Sequence, residues 1–395
     1  KKLKYIFEEK KSTKNPLLNS GAISFGEVIY KNDEKITAST KNSYQEVLDG
    51  EFLINPLNLN FDLKSLRIAL SKIDVVVSQG YIVLKINKEF CPDYYKYLFR
   101  KFDVEYMKSL GQGVRQTISF NDIKNEYLII PPLSEQKIIS KFLNAKTKKI
   151  DSLVERIQKR IELLKEYKTA LINQYVTQGL NQNVEKKDSK VNWIGEIPKH
   201  WNLHRNKKFF KQVKNLVGNN WRQYTLLSLG RPGVTIRDIE GGKGKFPESF
   251  ETYQEVKKGQ FVFCLFDMDE TPRTIGLSEE EGMITGAYTV FECSKNVCPD
   301  YIFFYYLIID EFKGLAPHYS GLRKTIRPTK FLSLNIYLPP LDEQFEIANF
   351  IKAKTLQINK LISLEEKRIN FLKEYRQSLI SSIVTGKIRI TEDML

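Results

Sequence analysis

Residues 131–176 return without a gap as residues 339–384, and this offset of 208 positions commits the chain to a duplicated architecture. Pro131-Pro132-Leu133-Ser134-Glu135-Gln136 reappears as Pro339-Pro340-Leu341-Asp342-Glu343-Gln344. Lys159-Arg160-Ile161 and Leu164-Lys165-Glu166-Tyr167 reappear as Lys367-Arg368-Ile369 and Leu372-Lys373-Glu374-Tyr375. Each copy reads as one long helix. The proline pair blocks extension backwards, Ser134 or Asp342 is the expected N-cap, and Gly179 and Gly386 stand where a C-terminal cap would fall. Ile150, Ile157, Leu164 and Leu171, interleaved with Val154, Ile161, Lys168 and Tyr175, make a heptad seam. Ile358, Leu372 and Leu379 with Ile362, Ile369 and Ile383 repeat it. Two helices with matched seams are expected to bury them against each other. Lys168, Arg376 and Glu365 are polar interruptions of the seam, either snorkelling outwards or fixing its register.

The duplication extends beyond the helices. Tyr44-Gln45-Glu46-Val47 recurs as Tyr253-Gln254-Glu255-Val256, each followed by an apolar, strand-like run, Phe52-Leu53-Ile54 and Phe261-Val262-Phe263. Cys91-Pro92-Asp93-Tyr94 matches Cys298-Pro299-Asp300-Tyr301 ahead of aromatic, helix-like runs, and Gly113 to Ile118 matches Gly321 to Ile326. The chain is therefore two copies of a mixed strand and helix domain, each followed by a long helix. The expected divisions are a first domain at 1–132, a helix at 133–180, a linker at 181–192, a second domain at 193–340, a helix at 341–386 and a tail at 387–395. The second copy opens with Trp193-Ile194-Gly195-Glu196-Ile197-Pro198-Lys199-His200-Trp201. No equivalent precedes Lys1, which is not Met, so the first domain's N-terminal edge is expected to be incomplete.

Sixty-two Lys and Arg against 47 Asp and Glu give a formal charge of +15, which points to a polyanionic partner. No apolar stretch of about 20 residues suggests a membrane span. Cysteines 91, 264, 293 and 298 form no paired framework, and with three histidines in all they suggest a reduced compartment, here taken as the cytoplasm. A zinc site from Cys293, Cys298 and His318 is disfavoured, because the first copy keeps the Cys-Pro-Asp-Tyr element without a partner cysteine.

The copies differ between residues 29–43 and 56–78 on one side and 237–252 and 268–285 on the other. These stretches are rich in side chains that reach base edges and phosphates. One frame carrying two polar surfaces suits a protein that reads two short sequences. The tandem order of variable domain and Pro-Pro-Leu-x-Glu-Gln helix, with the Trp-Ile-Gly-Glu-Ile-Pro-x-His-Trp opening, resembles the specificity subunit of type I DNA restriction-modification systems over essentially the whole chain. The resemblance implies an α+β fold: two globular target-recognition domains in tandem pseudo-repeat, separated by two long antiparallel coiled-coil helices. It also implies double-stranded DNA, two modification (methyltransferase) subunits and restriction subunits as partners. S-adenosylmethionine, ATP and magnesium would then belong to those partners, with no cofactor on this chain.

Motifs for independent catalysis fail. The proline pairs lack the flanking residues of a methyltransferase motif, and Gly241-Gly242-Lys243-Gly244-Lys245 is followed by Phe246, which breaks the phosphate-loop pattern and leaves a basic loop. Asp300, Glu311 and Lys313 have the order of a metal-dependent nuclease core, but the first copy does not repeat Glu-x-Lys. A self-sufficient nuclease or modification enzyme, or a coiled-coil scaffold, remains the alternative. For DNA contact, Arg115 and Arg323, with Gln116 and Lys324 beside them, are expected at backbone phosphates because both copies have them; an arginine bracing a turn is the competing explanation. Lys243 and Lys245 would track the backbone, and Lys41, Arg67, Arg237 and Arg273 are the candidate base readers.

Overall fold

The computed structural model describes residues 1–24, 26–57, 66–105, 117–191, 194–238 and 249–395. It forms two compact units, one from residues 1–158 and 366–395, the other from 159–365. Each long helix is thus divided between units. A unit consists of one globular domain, the start of the helix that follows it and the end of the helix from the other repeat.

The first unit is built on an antiparallel sheet of β1 (Phe7–Glu9), β2 (Phe52–Ile54), β3 (Ile68–Leu70) and β4 (Ile82–Ile86), in the order β1-β4-β2-β3. Helix α1 (Pro92–Glu105) covers one face. Phe7, Phe52 and Phe99 interlock there with ring centroids 4.8–5.3 Å apart, in the edge-to-face and tilted arrangements that aromatic quadrupoles favour. The other face packs Val47, Leu53, Val75, Val77 and Val83, so the central strands are buried on both sides.

The second unit repeats this plan with β5 (Phe210–Val213), β6 (Phe261–Phe263), β7 (Ile275–Leu277) and β8 (Thr289–Cys293), in the order β5-β8-β6-β7, under helix α3 (Pro299–Glu311). Here α2 (Leu133–Gln178) and α4 (Leu341–Val384) are the two long helices, of 46 and 44 residues. At about 1.5 Å per residue, α2 is roughly 69 Å long.

The helix ends were only partly legible. Both helices begin on the leucine after the proline pair, so Ser134 and Asp342 sit inside the first turn and are not the N-caps. The fixed backbone of Pro132 and Pro340 already starts the helix, and their carbonyls accept from the amides of Gln136 and Gln344 at 3.0 Å each. Gly179 and Gly386 follow the last turns with φ of 71° and 75°, a left-handed conformation that suits glycine. The expected linker at 181–192 is also more ordered than its composition suggested. Lys186–Asp188 pairs antiparallel with Glu196–Pro198, and Lys187 Nζ donates to the carbonyls of Lys199 and Trp201 at 2.8 and 2.6 Å. Polar side chains need not mean free backbone when a neighbouring strand satisfies the amides.

In each unit the two helices run antiparallel. Asp151 meets Arg376 in the first; Arg160 meets Glu365, Lys168 meets Asn359 and Tyr175 meets Phe350 in the second. Ile150 and Ile157 of α2 and Ile369 and Ile383 of α4 are buried seam residues, as the heptads required. The polar seam residues do not simply escape to solvent; each makes a cross-helix pair, which penalises slippage by a turn. No described helix is long and apolar enough to cross a membrane.

Candidate nucleic-acid interface

The repeated motifs prove to be the frame that holds the polar surfaces. Gln136 is buried; its Oε1 accepts from the Cys91 amide at 3.0 Å while its Nε2 donates to the Pro131 carbonyl at 2.9 Å. Gln344 makes the same two bonds, to Cys298 and Pro339, at 2.9 Å each. One glutamine therefore ties the start of each long helix to the start of the aromatic helix. Tyr94 and Tyr301 complete the junction by donating to the carbonyls of Val384 and Val176 at 3.4 and 2.9 Å. Gln45 and Gln254 each donate to a tyrosine carbonyl, Tyr81 and Tyr288, at 2.7 Å. The second domain's opening segment adds a clamp: Glu343 receives the Trp201 indole N–H at 3.2 Å and lies 2.8 Å from His200 Nε2.

Against this frame, the candidate DNA contacts separate. Arg115, Gln116, Lys243 and Lys245 lie outside the described residues. Arg323 is exposed, but its guanidinium grips Asp267 through Nη2 at 2.6 Å and Nε at 3.3 Å and lies 5.1 Å from the Phe266 ring centroid. The Asp267 amide donates back to the Arg323 carbonyl at 2.7 Å. The arginine holds the Asp267 carboxyl below its ordinary range, mainly through the side-chain hydrogen bond. It thus braces a turn closed by Ser320 and Thr325, in which Lys324 takes a left-handed φ of 44° and stays exposed. A bracing role does not prevent the outward face of the guanidinium from meeting a phosphate.

Lys41, in the last turn of the short helix Ala38–Lys41, ion-pairs with Asp33 at 2.6 Å. Arg67 and Arg273 both flank a buried aspartate near the end of the aromatic helix. The Arg67 and Ile68 amides donate to Asp103, the latter at 3.1 Å; Thr274 donates its amide and hydroxyl to Asp310 at 3.0 and 2.7 Å, with Arg273 3.8 Å away. Sequence reading passed over these aspartates, although Asp103 and Asp310 stand at corresponding places in the repeat. Arg237 is exposed at the end of the hairpin strand Gly233–Ile236. Of the six described candidates, Lys41 and Arg67 belong to the first unit and Arg237, Arg273, Arg323 and Lys324 to the second.

The nuclease-like triplet does not converge. Asp300 opens α3 and pairs with Lys352 at 2.6 Å, whereas Glu311 closes the same helix, about 16 Å away at 1.5 Å per residue. Lys313 is turned to Asp310 at 3.2 Å. Among the described residues, no cluster of three or more His, Cys, Asp or Glu could hold a metal. Burial pushes the Cys293 thiol up to about 12, the behaviour of a packed, unreactive cysteine.

Comparison with known proteins decides the family. The profile described as the type I restriction modification DNA specificity domain matches residues 2–163 and 281–374, well over half of the chain. The chain belongs to the type I restriction-modification DNA specificity family. Among relatives of this family, the type I restriction enzyme MjaVIII specificity subunit of Methanocaldococcus jannaschii is 25% identical over 343 residues, which cover 80% of this chain and 75% of that protein. A protein assigned as the MjaX specificity subunit of the same organism is 25% identical over 353 residues, or 86% of this chain and 79% of that one. Two solved structures share the fold. One, from work on complex assembly and conformational transition of the type I R-M system, superposes with a TM-score of 0.70 at 13% identity, covering 98% of this chain and 97% of the other. The HsdS subunit from Thermoanaerobacter tengcongensis gives 0.51 at 14% identity, covering 98% and 96%.

Proposed function

We propose that this specificity subunit has no active site of its own and reads a bipartite, asymmetric DNA target, one half-site per globular domain. The observation that carries this reading is the contrast between frame and surface. Gln45, Tyr94 and Gln136 reproduce the hydrogen bonds of Gln254, Tyr301 and Gln344, yet the segments outside that frame differ in length, charge and local structure. Both domains carry a hairpin, Gly21–Ser24 with Glu27–Tyr30 and Leu227–Gly230 with Gly233–Ile236, but the first follows it with a 3-10 turn at Asp33–Lys35 and a short helix at Ala38–Lys41, whereas the second precedes it with a 3-10 segment at Gly218–Gln223. Retaining the frame while varying the surface separates folding from recognition, because base contacts must change between half-sites and packing must not.

The helices serve as the spacer and as the platform for two modification subunits. Leu163 and Tyr167 on α2 are 52% and 58% exposed, and their repeat equivalents on α4, Phe371 and Tyr375, are 68% and 57% exposed. Residues four apart share a helix face, so each unit presents one matching apolar patch, as two copies of one partner would need. In the cytoplasm the complete assembly would add restriction subunits, with S-adenosylmethionine, ATP and magnesium bound by the partners. The test is methylome sequencing of cells that carry this chain with its modification subunit. Grafting another specificity subunit's residues 38–78 into the first domain should change one half-site and leave the other intact; a change in both would overturn the division of labour. The purified chain with magnesium, ATP and S-adenosylmethionine should neither cut nor methylate DNA, and metal-dependent cleavage lost in Asp300→Ala would overturn the non-catalytic reading.

A further inference from the structure

The two seams carry equivalent polar positions with different charge. In the first unit, Arg376 faces Asp151, with Nε 2.9 Å from Oδ1 and Nη2 donating to Oδ2 at 3.2 Å, so the cation is compensated. In the second unit the equivalent pair is Lys168 and Asn359, joined at 2.9 Å, and the carboxylate has become a neutral amide. Beside that pair opens a cavity of about 410 Å³, bordered by the cations Lys168, Arg231 and Arg273 over a floor that includes Ile275, Phe303 and Leu307. No described residue lining it is a carboxylate. The nearest acidic group to Arg273 is Asp310 at 3.8 Å, which already serves Thr274 and Lys313. Burial, then Arg273 and Lys165, lower the Lys168 pKa, so the ammonium sits where an anion would relieve it.

We propose that the crevice lined by Lys168, Arg231 and Arg273 binds a backbone phosphate of duplex DNA, in the second unit only. Three converging cations over an apolar floor suit a phosphodiester and its deoxyribose, with the guanidinium forks meeting the non-bridging oxygens. Arg231 sits at the turn of the hairpin whose second strand runs on to Arg237, where the first of the second domain's divergent polar stretches begins. An acidic side chain from a modification subunit is the less fitting occupant. Two copies of one partner would need the same charge in both units, and here the seam cation of one unit faces a carboxylate while that of the other faces a neutral amide. The contact would fix the second domain's phase on the duplex without reading a base.

This site rests on the DNA-recognition reading above, and its test separates the two. The full chain bound to its modification subunits is titrated with target and unrelated duplexes at several salt concentrations. Arg231→Gln, at an exposed hairpin turn, should lower the slope of log affinity against log salt by about one unit on both duplexes. Asn359→Asp restores the counterion that the first unit has; it should lower the slope similarly while leaving the melting temperature unchanged or raised. Unchanged slopes in both variants, with the wild type still bound, would remove the site. Weaker association with the modification subunit at an unchanged DNA slope would reassign the crevice to a partner carboxylate and equally overturn the proposal. A wild-type assembly that shows no sequence preference, but whose slope falls in the variants, would refute the recognition reading and leave the phosphate site standing.

Discussion

Arg376 closes on Asp151 at 2.9 Å within the helix pair of the first unit, and nearby Arg100 donates to Gln377 at 3.1 Å. Burial, followed by the charge of Arg376, brings the Arg100 guanidinium down to about 10. Asp151 is therefore the anion that lets two arginines share one helix junction. Asp151→Asn should lower the unfolding free energy read from urea titration, by less than about 1 kcal/mol because the carboxylate is half exposed, and the loss should shrink as salt rises. A salt-independent loss would show that packing, not charge, is what Asp151 supplies.

Gln136 and Gln344 each satisfy a backbone donor and a backbone acceptor that no other described group serves in their place. Gln344→Leu keeps the volume but leaves the buried Cys298 amide without its acceptor. It should cost about 1–3 kcal/mol in chemical denaturation, and Gln136→Leu a similar amount. Gln344→Glu keeps the acceptor and loses the donor to Pro339, so it should fall between wild type and the leucine variant; equal losses for Leu and Glu would exclude the Cys298 bond as the source.

Tyr94 and Tyr301 join the aromatic helices to the ends of the long helices. Desolvation raises the Tyr94 phenol to about 12 and pushes Tyr301 well above the ordinary value. A phenol whose folded pKa exceeds its unfolded value of about 10 contributes stability that is complete below pH 10 and is lost as pH rises towards the folded value. The chain should therefore destabilise steeply between about pH 10 and 12, and Tyr301→Phe should flatten that fall while costing about 1 kcal/mol near neutrality for the lost bond to Val176. Thermal melts across that pH range would show an unaltered alkaline profile in Tyr301→Phe if the phenol is not responsible.

Arg323 and Asp267 hold each other so closely that removing either exposes the other. Arg323→Ala should lower the salt slope of DNA binding by about one unit if the outward face of the guanidinium also meets a phosphate. Asp267→Ala releases the arginine and should strengthen non-specific binding. If Arg323→Ala lowers only the melting temperature and leaves DNA binding intact, bracing the turn is its whole function.

If the helices set the distance between half-sites, four residues inserted near Arg160 add about one turn, or ~6 Å, and coiled coils absorb such a stutter by local unwinding. At about 3.4 Å per base pair, the unread spacer should lengthen by one or two base pairs while both half-sites stay the same. Methylome sequencing that found altered half-sites, or an unchanged spacer with full methylation, would remove the helices from spacing.

Sequence alone determined the duplication, the two long helices, the burial of their seams, the central strands at Phe52–Ile54 and Phe261–Phe263 and the membership of a DNA-recognising family. All of these rest on local periodicity or on a motif that occurs twice, and both survive without knowledge of contacts. Only the tertiary structure decided what the motifs do. Gln136 and Cys91 are 45 residues apart, and Tyr301 and Val176 are 125 apart; no spacing rule predicts such hydrogen bonds, because a fold, not the chain, brings the partners together. The same limit governed charge. Lys168 and Arg273, which the sequence offers separately as a polar interruption of the seam and a candidate base reader, line one crevice together with Arg231 once the chain is folded. The sum of charges along a chain reports its affinity for a polyanion, but a site depends on which cations share a crevice and which groups they already face, and that is settled by packing.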